Sequence, residues 1–336
     1  MKLGLSQASY RWVCYPWLRY DTVDYLYSER RLPYHTSVAP PSTLEAPIDW
    51  LVERVRSHGL RSLYMESGWL GDEAGAKAFR RRMDEIVLVY FAAAAANLAA
   101  EPTEWGSTRY DQRARQEAHP IYRVAIRDAG WHGGTEFQKA ARAIELAAAA
   151  GALAVNVVHR EAGALHHFTK DPPVARQLEH VTRNMRSLIP VAEEHGIVLT
   201  NESHMDYRVA DLIAVREAIG SPWLMHCFDF ANPIGVVEDP LDAARLAAPY
   251  TLFTHIKDMR IQSATLMGEP AFFHTPIGLG HVPVAEILHV LQAHAPAPDN
   301  LHHCVEVCTP PEYNTEQWLA ASIDWLRFVG GRFWTE

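Results

Sequence analysis

The sequence predicts an α/β protein, a closed (β/α)₈ barrel running as a single domain over residues 1–336. Three observations predict it. Eight short apolar runs of strand length alternate with longer amphipathic stretches, the pattern of parallel strands joined by helices. Runs such as Gly196-Ile-Val-Leu-Thr are continuously apolar, as strands buried on both faces require. No Gly-rich phosphate loop follows the first run, which disfavours the alternative of an open doubly wound sheet.

Taken in order, the strand runs are 2–9, 60–66, 93–99, 153–159, 197–202, 223–230, 250–257 and 301–307. Thr135-Glu-Phe-Gln138 has the form of a capping box and opens a helix that stops at Gly151. Asp171-Pro-Pro opens the next, with Val174, Leu178, Val181, Met185, Leu188 and Ala192 at helical spacing, Pro190 as a kink in its last turn and Gly196 as its C-terminal stop. Residues 208–219 end at Gly220-Ser-Pro222. Asp239-Pro240 starts a short helix, 282–293 forms another, and 315–329 the last. The Ala runs 92–96 and 147–150 are filler of strand or helix.

One segment exceeds a minimal barrel. Residues 11–49 form a long connection after the first strand, carrying Trp12, Tyr15, Trp17, Tyr20, Tyr25, Tyr27 and Tyr34. In a barrel this connection lies over the C-terminal, active-site face. It reads either as an aromatic lid or wall for substrate, or as a docking surface for a neighbouring subunit.

Composition narrows the function. The 336 residues carry 31 basic and 40 acidic side chains, a net charge of −9, which disfavours nucleic acid as a partner. No apolar run reaches membrane-spanning length, and the first residues lack the apolar core of a signal peptide. Cys14, Cys227, Cys304 and Cys308 form no CxxC pair and read as reduced thiols of a cytoplasmic protein.

The chemistry gathers at the ends of the last four strand runs. These read Ile197-Val-Leu-Thr-Asn-Glu202, Leu224-Met-His-Cys-Phe-Asp229, Leu252-Phe-Thr-His255 and His302-His-Cys-Val-Glu306. In a barrel, four such ends converge on one point at the mouth. Three carboxylates so close repel one another unless a cation joins them. Three oxygens and one imidazole nitrogen suit a hard divalent metal, Mn²⁺ foremost, with Mg²⁺, Co²⁺ or Zn²⁺ also matching. Period-two alternation places Cys227 and Cys304 on the same inward face as Asp229 and Glu306, as small filling beneath that layer.

These motifs resemble the xylose isomerase-like TIM barrels, the sugar phosphate isomerases/epimerases. The resemblance rests on Glu202 closing strand five, Asp229 in D-x-x-N on strand six, His255 in H-x-K-D on strand seven, Glu306 on strand eight, and the loop Pro276-Ile-Gly-Leu-Gly280. It is strong from residue 188 to 307 and weak before. It implies one divalent metal held by Glu202, Asp229, His255 and Glu306, and proton transfer by Glu202 and Glu306 on opposite faces of a carbon beside the carbonyl of a ketose or keto-sugar. Two departures leave the substrate open: Asn232 stands where some sugar epimerases carry His, and the 11–49 insertion enlarges the site. They leave room for a lyase of the same fold, performing β-elimination or deglycosylation of a 3-keto-glycoside, with a possible partner subunit.

Further candidates for substrate contact are His204, Asn232, Lys257, Arg260, His159 and Glu66. Five of these have a plain structural reading beside them: a rim histidine for His204, a salt bridge for Lys257, a solvated loop for Arg260, a core histidine for His159, a solvated rim carboxylate or helix cap for Glu66. The pairs His166-His167 and His302-His303 lack companions at ligand spacing and read as structural. A homo-oligomer is expected by analogy with related barrels. A barrel nuclease would need a His-rich three-zinc site and a basic groove, and a decayed binding protein would have lost a ligand; neither description fits.

Overall fold

The computed structural model describes residues 1–10, 47–96, 98, 136–159, 167–170, 172–202, 204–263, 268, 270–310, 313–329, 331 and 334. Eight strands form a closed parallel barrel: β1 (Lys2–Ser6), β2 (Ser62–Glu66), β3 (Val89–Ala96), β4 (Ala154–His159), β5 (Val198–Glu202), β6 (Leu224–Asp229), β7 (Thr251–Ile256) and β10 (His302–Val305). Their order around the barrel follows the chain, and β10 closes onto β1. Helices α1 (Pro47–Ser57), α2 (Glu73–Glu85), α3 (Glu136–Ala149), α4 (Val174–Glu194), α5 (Val209–Ile219), α6 (Pro240–Ala247), α7 (Val284–His294) and α8 (Thr315–Val329) alternate with them.

Local sequence sets these boundaries. The Asp239 carboxylate accepts from the N–H groups of Leu241 and Asp242, satisfying two free donors at the start of α6, and Pro240 fits the first turn. Gly220 ends α5 in the left-handed conformation, with φ of 67°. α4 runs through Pro190 to Glu194. Most of the 11–49 insertion, the Thr135 cap and Asp171 lie outside the described residues. The last three positions of the insertion are helical, because Pro47 opens α1.

Two sequence expectations need correction. The third strand starts at Val89 rather than residue 93: a run of alanines has no alternation to mark its edge, and Val89-Tyr-Phe pairs with β2 instead. After β7 the chain forms an antiparallel hairpin of β8 (Asp258–Ser263) and β9 (Pro270–Thr275), outside the barrel sheet. Its residues are exposed over most of both faces, so it lacks the apolar period that marks a strand.

Alternation along the strands divides the core in two. Tyr64, Phe91, Ala93, Ala154, Cys227, Phe253 and Cys304 fill the barrel. Phe91 and Phe253 stack there with centroids 4.5 Å apart. Leu5, Leu63, Val155, Leu199, Phe228, Ile256 and Val305 belong to the larger cluster that includes the helices. Each large side chain so buried contributes about 1.5–3 kcal/mol. The filled interior makes the barrel a solid base on which the strand ends are held rigidly.

Candidate active site

Glu202 and Asp229 are the last residues of β5 and β6. His255 is the penultimate residue of β7, and Lys257 follows that strand. Glu306 stands one residue beyond β10, and its N–H still donates to the Ile256 carbonyl at 2.8 Å, extending the ladder. All five residues are buried, none more than 6% exposed.

The four residues expected as ligands come together. His255 Nδ1 lies 3.1 Å from Glu202 Oε1 and 3.5 Å from Glu306 Oε2. Lys257 Nζ lies 2.8 Å from Asp229 Oδ2 and 3.2 Å from Glu306 Oε1. The first of these is a close ion pair rather than an aligned hydrogen bond, since Asp229 Oδ2 has no hydrogen-bond partner among the described residues. Asp229 Oδ1 accepts from the backbone N–H groups of Ala231 and Asn232, both at 2.9 Å. That turn explains the D-x-x-N spacing: it fixes the carboxylate and brings Asn232 back to donate to Glu202 Oε1 at 3.3 Å.

Electrostatics follow from this packing. Burial alone would lower the pKa of His255, but Glu202 through charge and hydrogen bond, with Glu306 and Asp229, raises it to about 9. Burial pushes the Glu202 carboxyl up, and the His255 charge and hydrogen bond more than reverse this. Lys257 is held charged by Asp229 and then Glu306, against its burial. Three carboxylates, one ammonium and one imidazolium sum to −1; loss of the imidazole proton makes the sum −2.

That charge and donor set fit a divalent cation. Single donor atoms of Asp229, His255 and Glu306 lie within 4.8 Å of one another, as do those of Glu202, Cys227 and His255. Buried, neighbouring carboxylates with one imidazole are the chemistry of a site for Mn²⁺, Co²⁺, Mg²⁺ or Zn²⁺. Cys227 and Cys304 lie beneath the carboxylates as expected, and burial pushes the Cys304 thiol up to about 12.

The other expected residues are placed variously. Asn232 reaches the cluster through Glu202. Lys257 is inside it, as an ion pair with two carboxylates. The backbone N–H of His204 donates to Asp206, and its imidazole is near enough to Glu202 to help lower that pKa. Glu66 ends β2 half-buried, its N–H donating to the Gln7 side chain. Arg260 is exposed on β8, with its guanidinium donating to the Leu279 carbonyl. His159 closes β4, and its side chain lies outside the described residues.

Sequence reasoning missed four contacts. Asn156 donates to Glu202 Oε2 at 2.5 Å and to Tyr64 Oη at 3.1 Å. Ser6 donates to Glu306 Oε2 at 3.3 Å, and the Cys308 thiol lies 3.7 Å from Glu306 Oε1. Their signal is positional. Tyr64, Asn156 and Ser6 are polar groups at inward positions of otherwise apolar strands, which shows only once the register is known.

Asp258, the fourth member of H-x-K-D, turns away from the cluster. Its carboxylate accepts four backbone N–H groups, from Met259 and Val282 on Oδ1 and from Gly278 and Gly280 on Oδ2. It thereby ties the 276–282 loop to the residue after Lys257. Two glycines are required there. Gly278 has φ of +91°, and a Cβ on Gly280 would lie 2.0 Å from the Asp258 carboxylate.

Among curated proteins, the chain is 28% identical over 145 residues to 3-oxo-isoapionate decarboxylase of Pectobacterium atrosepticum. It is 34% identical over 89 residues to the uncharacterized protein YihM of Escherichia coli. The matches cover 43% and 26% of this chain, and 51% and 24% of those relatives' lengths. Among solved structures, L-ribulose 3-epimerase shares the fold, with a TM-score of 0.62 and 13% identity over 98% of this chain and 95% of that one. Residues 130–329 match the family described as xylose isomerase-like TIM barrel, which is more than half of the sequence. The chain belongs to the xylose isomerase-like TIM barrel family.

Proposed function

We propose that this protein is a divalent-metal-dependent sugar isomerase or epimerase that moves a proton beside the carbonyl of a ketose or keto-sugar. The observation that carries the reading is the buried convergence of Glu202, Asp229, His255 and Glu306 at the barrel mouth. These four would hold the cation, Mn²⁺ foremost. When bound, it supplies Lewis acidity toward adjacent carbonyl and hydroxyl oxygens.

The protein's own groups supply the rest. Glu202 enters the cluster from β5 and Glu306 from just beyond β10, three strands apart around the barrel, which would let a substrate carbon meet a carboxylate from each side. One takes the proton next to the carbonyl and the other returns one to the opposite face, each acting as general base or acid. Lys257, charged between Asp229 and Glu306, offsets negative charge as the enediolate forms. Asn232 holds Glu202 Oε1 in place. His204, at the rim, and Glu66, at the end of β2, are the substrate contacts nearest to hand. Lys257 and Asn232 act mainly through the carboxylates they touch.

A second reading is a lyase that uses the same proton abstraction to break a bond, by β-elimination or deglycosylation of a 3-keto-glycoside. The similarity to 3-oxo-isoapionate decarboxylase favours it, because a decarboxylase, like a lyase acting on a keto-glycoside, breaks a bond in a molecule that carries a keto group. A soluble sugar substrate fits either reading. Among the described residues no helix is long and apolar enough to cross a membrane.

The test is metal content of the purified protein and of Glu306→Gln, followed by incubation with ketoses and 3-keto-glycosides in D₂O. About one divalent ion per chain, reduced in the variant, with deuterium entering recovered sugar, supports the isomerase. Release of an aglycone supports the lyase. Absence of metal in both proteins, even after incubation with Mn²⁺, overturns both readings.

A further inference from the structure

Glu202 has two carboxylate oxygens, and they face different surroundings. Oε1 faces the His255 Nδ1 and Asn232 side of the cluster. Oε2 accepts from Asn156 Nδ2 at 2.5 Å. Asn156 is fully buried on β4, two strands from β6 and directly opposite Thr200 in the β4–β5 register. Thr200 precedes Glu202 by two residues on β5, so both side chains point into the barrel with Asn156 between them.

The amide can satisfy this environment in one orientation. Thr200 Oγ1 donates to Asn156 Oδ1 at 3.0 Å. The two hydrogens of Nδ2 then go to Glu202 Oε2 and to Tyr64 Oη, the latter at 3.1 Å. Every polar atom of the Asn156 side chain is used. Turning the amide over would set its oxygen against the Glu202 carboxylate, which cannot donate, in a region where an unmade hydrogen bond costs about 1–3 kcal/mol. The Tyr64 ring in turn packs edge-on against His255, with centroids 4.3 Å apart. The Thr200–Asn156 pair therefore touches Glu202 directly and His255 through Tyr64.

We infer that Asn156 is a positioning residue, held in place by the Thr200 hydroxyl, that fixes the rotation of the Glu202 carboxylate so that Oε1 is presented to the metal and substrate side, and that holds Tyr64 against His255. This deepens the reading of Glu202 as ligand and proton carrier, and it rests on that reading. None of these three residues would itself bind the cation. Their effect is on the alignment of a group that does, and partners of this kind typically change metal affinity by about 10–100-fold.

The test uses the full-length protein and Mn²⁺ alone, with binding followed by the electron paramagnetic resonance of free Mn²⁺ and, in parallel, by the visible absorption of the Co²⁺ form. Thr200→Val is nearly isosteric and removes only the hydroxyl that anchors the amide oxygen. Thr200→Ser keeps it. Asn156→Leu removes the whole fork. Asn201→Leu is the control: Asn201 lies next to Glu202 on β5 but bonds outward, to Leu212 and His226, so it perturbs the strand without touching the fork.

The expected result is Mn²⁺ affinity weakened about tenfold in Thr200→Val and more in Asn156→Leu, with an altered Co²⁺ spectrum in both. Thr200→Ser and Asn201→Leu should keep wild-type affinity and spectrum. Wild-type binding in Thr200→Val and Asn156→Leu, both folded by circular dichroism, overturns the inference and leaves the metal site standing. Equal weakening by Asn201→Leu also overturns it, as a nonspecific effect of β5. Failure of the wild type to bind either ion overturns the functional reading together with the inference.

Discussion

Asp258→Asn is the substitution for which the structure gives the clearest magnitude. The change is isosteric, and Asp258 is 2% exposed. The carboxylate accepts at 2.8 and 3.1 Å on one oxygen and at 3.0 and 2.8 Å on the other. An asparagine keeps one oxygen and sets an NH₂ group against two backbone N–H donors, whichever way the amide turns. Two hydrogen bonds to a charged acceptor are lost, at about 1.5–3 kcal/mol each. If the turn keeps the oxygen on Met259 and Val282, the abandoned donors are Gly278 and Gly280, both only part-buried, and water recovers some of the loss. The expected destabilisation is therefore about 3 kcal/mol. Denaturant unfolding at pH 7.5, beside Leu279→Ala at the 59%-exposed tip of the same loop, reads it directly. The control should stay within about 0.5 kcal/mol of wild type. An Asp258→Asn protein equally close to wild type would refute the assignment of this carboxylate as the anchor of the loop.

Three further outcomes are expected. Lys257→Met leaves Asp229 and Glu306 buried without their ammonium, so unfolding in chelator should show a loss of about 3–5 kcal/mol, and added Mn²⁺ should recover part of it. His226 and His302 are held neutral by burial, with pKa values of about 4, and His303 is lowered as well. Their stability contribution is present above the unfolded value of about 6.5 and is lost as pH falls toward 4, so unfolding at pH 5 should take up about two or more protons, read from calorimetry in buffers of different ionisation enthalpy; stability unchanged from pH 7 to 5 would contradict it. Glu316 is raised by burial but lowered further by hydrogen bonds from His58 and Tyr10. Its contribution is present above the unfolded pKa of about 4.3 and fades as pH falls below it, so the stability gap between wild type and Glu316→Gln should narrow on acidification.

The barrel and the cluster of ionisable residues at its mouth were legible for one physical reason. A parallel strand buried on both faces writes itself as an apolar run, and an ionisable residue closing such a run has only the barrel mouth to occupy. Glu202, Asp229, His255 and Glu306 each close such a run, and the folded chain brings them together. The same logic fails where apolar character carries no period. The alanines of β3 hid its start at Val89, and the hairpin of β8 and β9 is exposed over most of its length. It also fails for residues whose role depends on a partner strand. Asn156 sits in Ala-Val-Asn-Val-Val-His, where one amide among apolar residues has no local explanation. Only the pairing of β4 with β5 sets it against Thr200 and, through the two-residue repeat, beneath Glu202.

H-x-K-D shows how one short motif divides its labour across that geometry. His255 and Lys257 are two residues apart and point the same way, so one imidazole and one ammonium enter the carboxylate cluster side by side. Asp258, one residue on, points the other way and cannot join them. It collects the N–H groups of the glycine loop instead, which fixes the backbone directly after Lys257. Lys257 is thus anchored through the chain by Asp258 and through space by Asp229 and Glu306. A long, flexible side chain is held in one place between two carboxylates. That arrangement makes Lys257 a fixed positive charge within the carboxylate cluster, and it makes Asp258 a residue whose loss should loosen the cluster without touching any member of it.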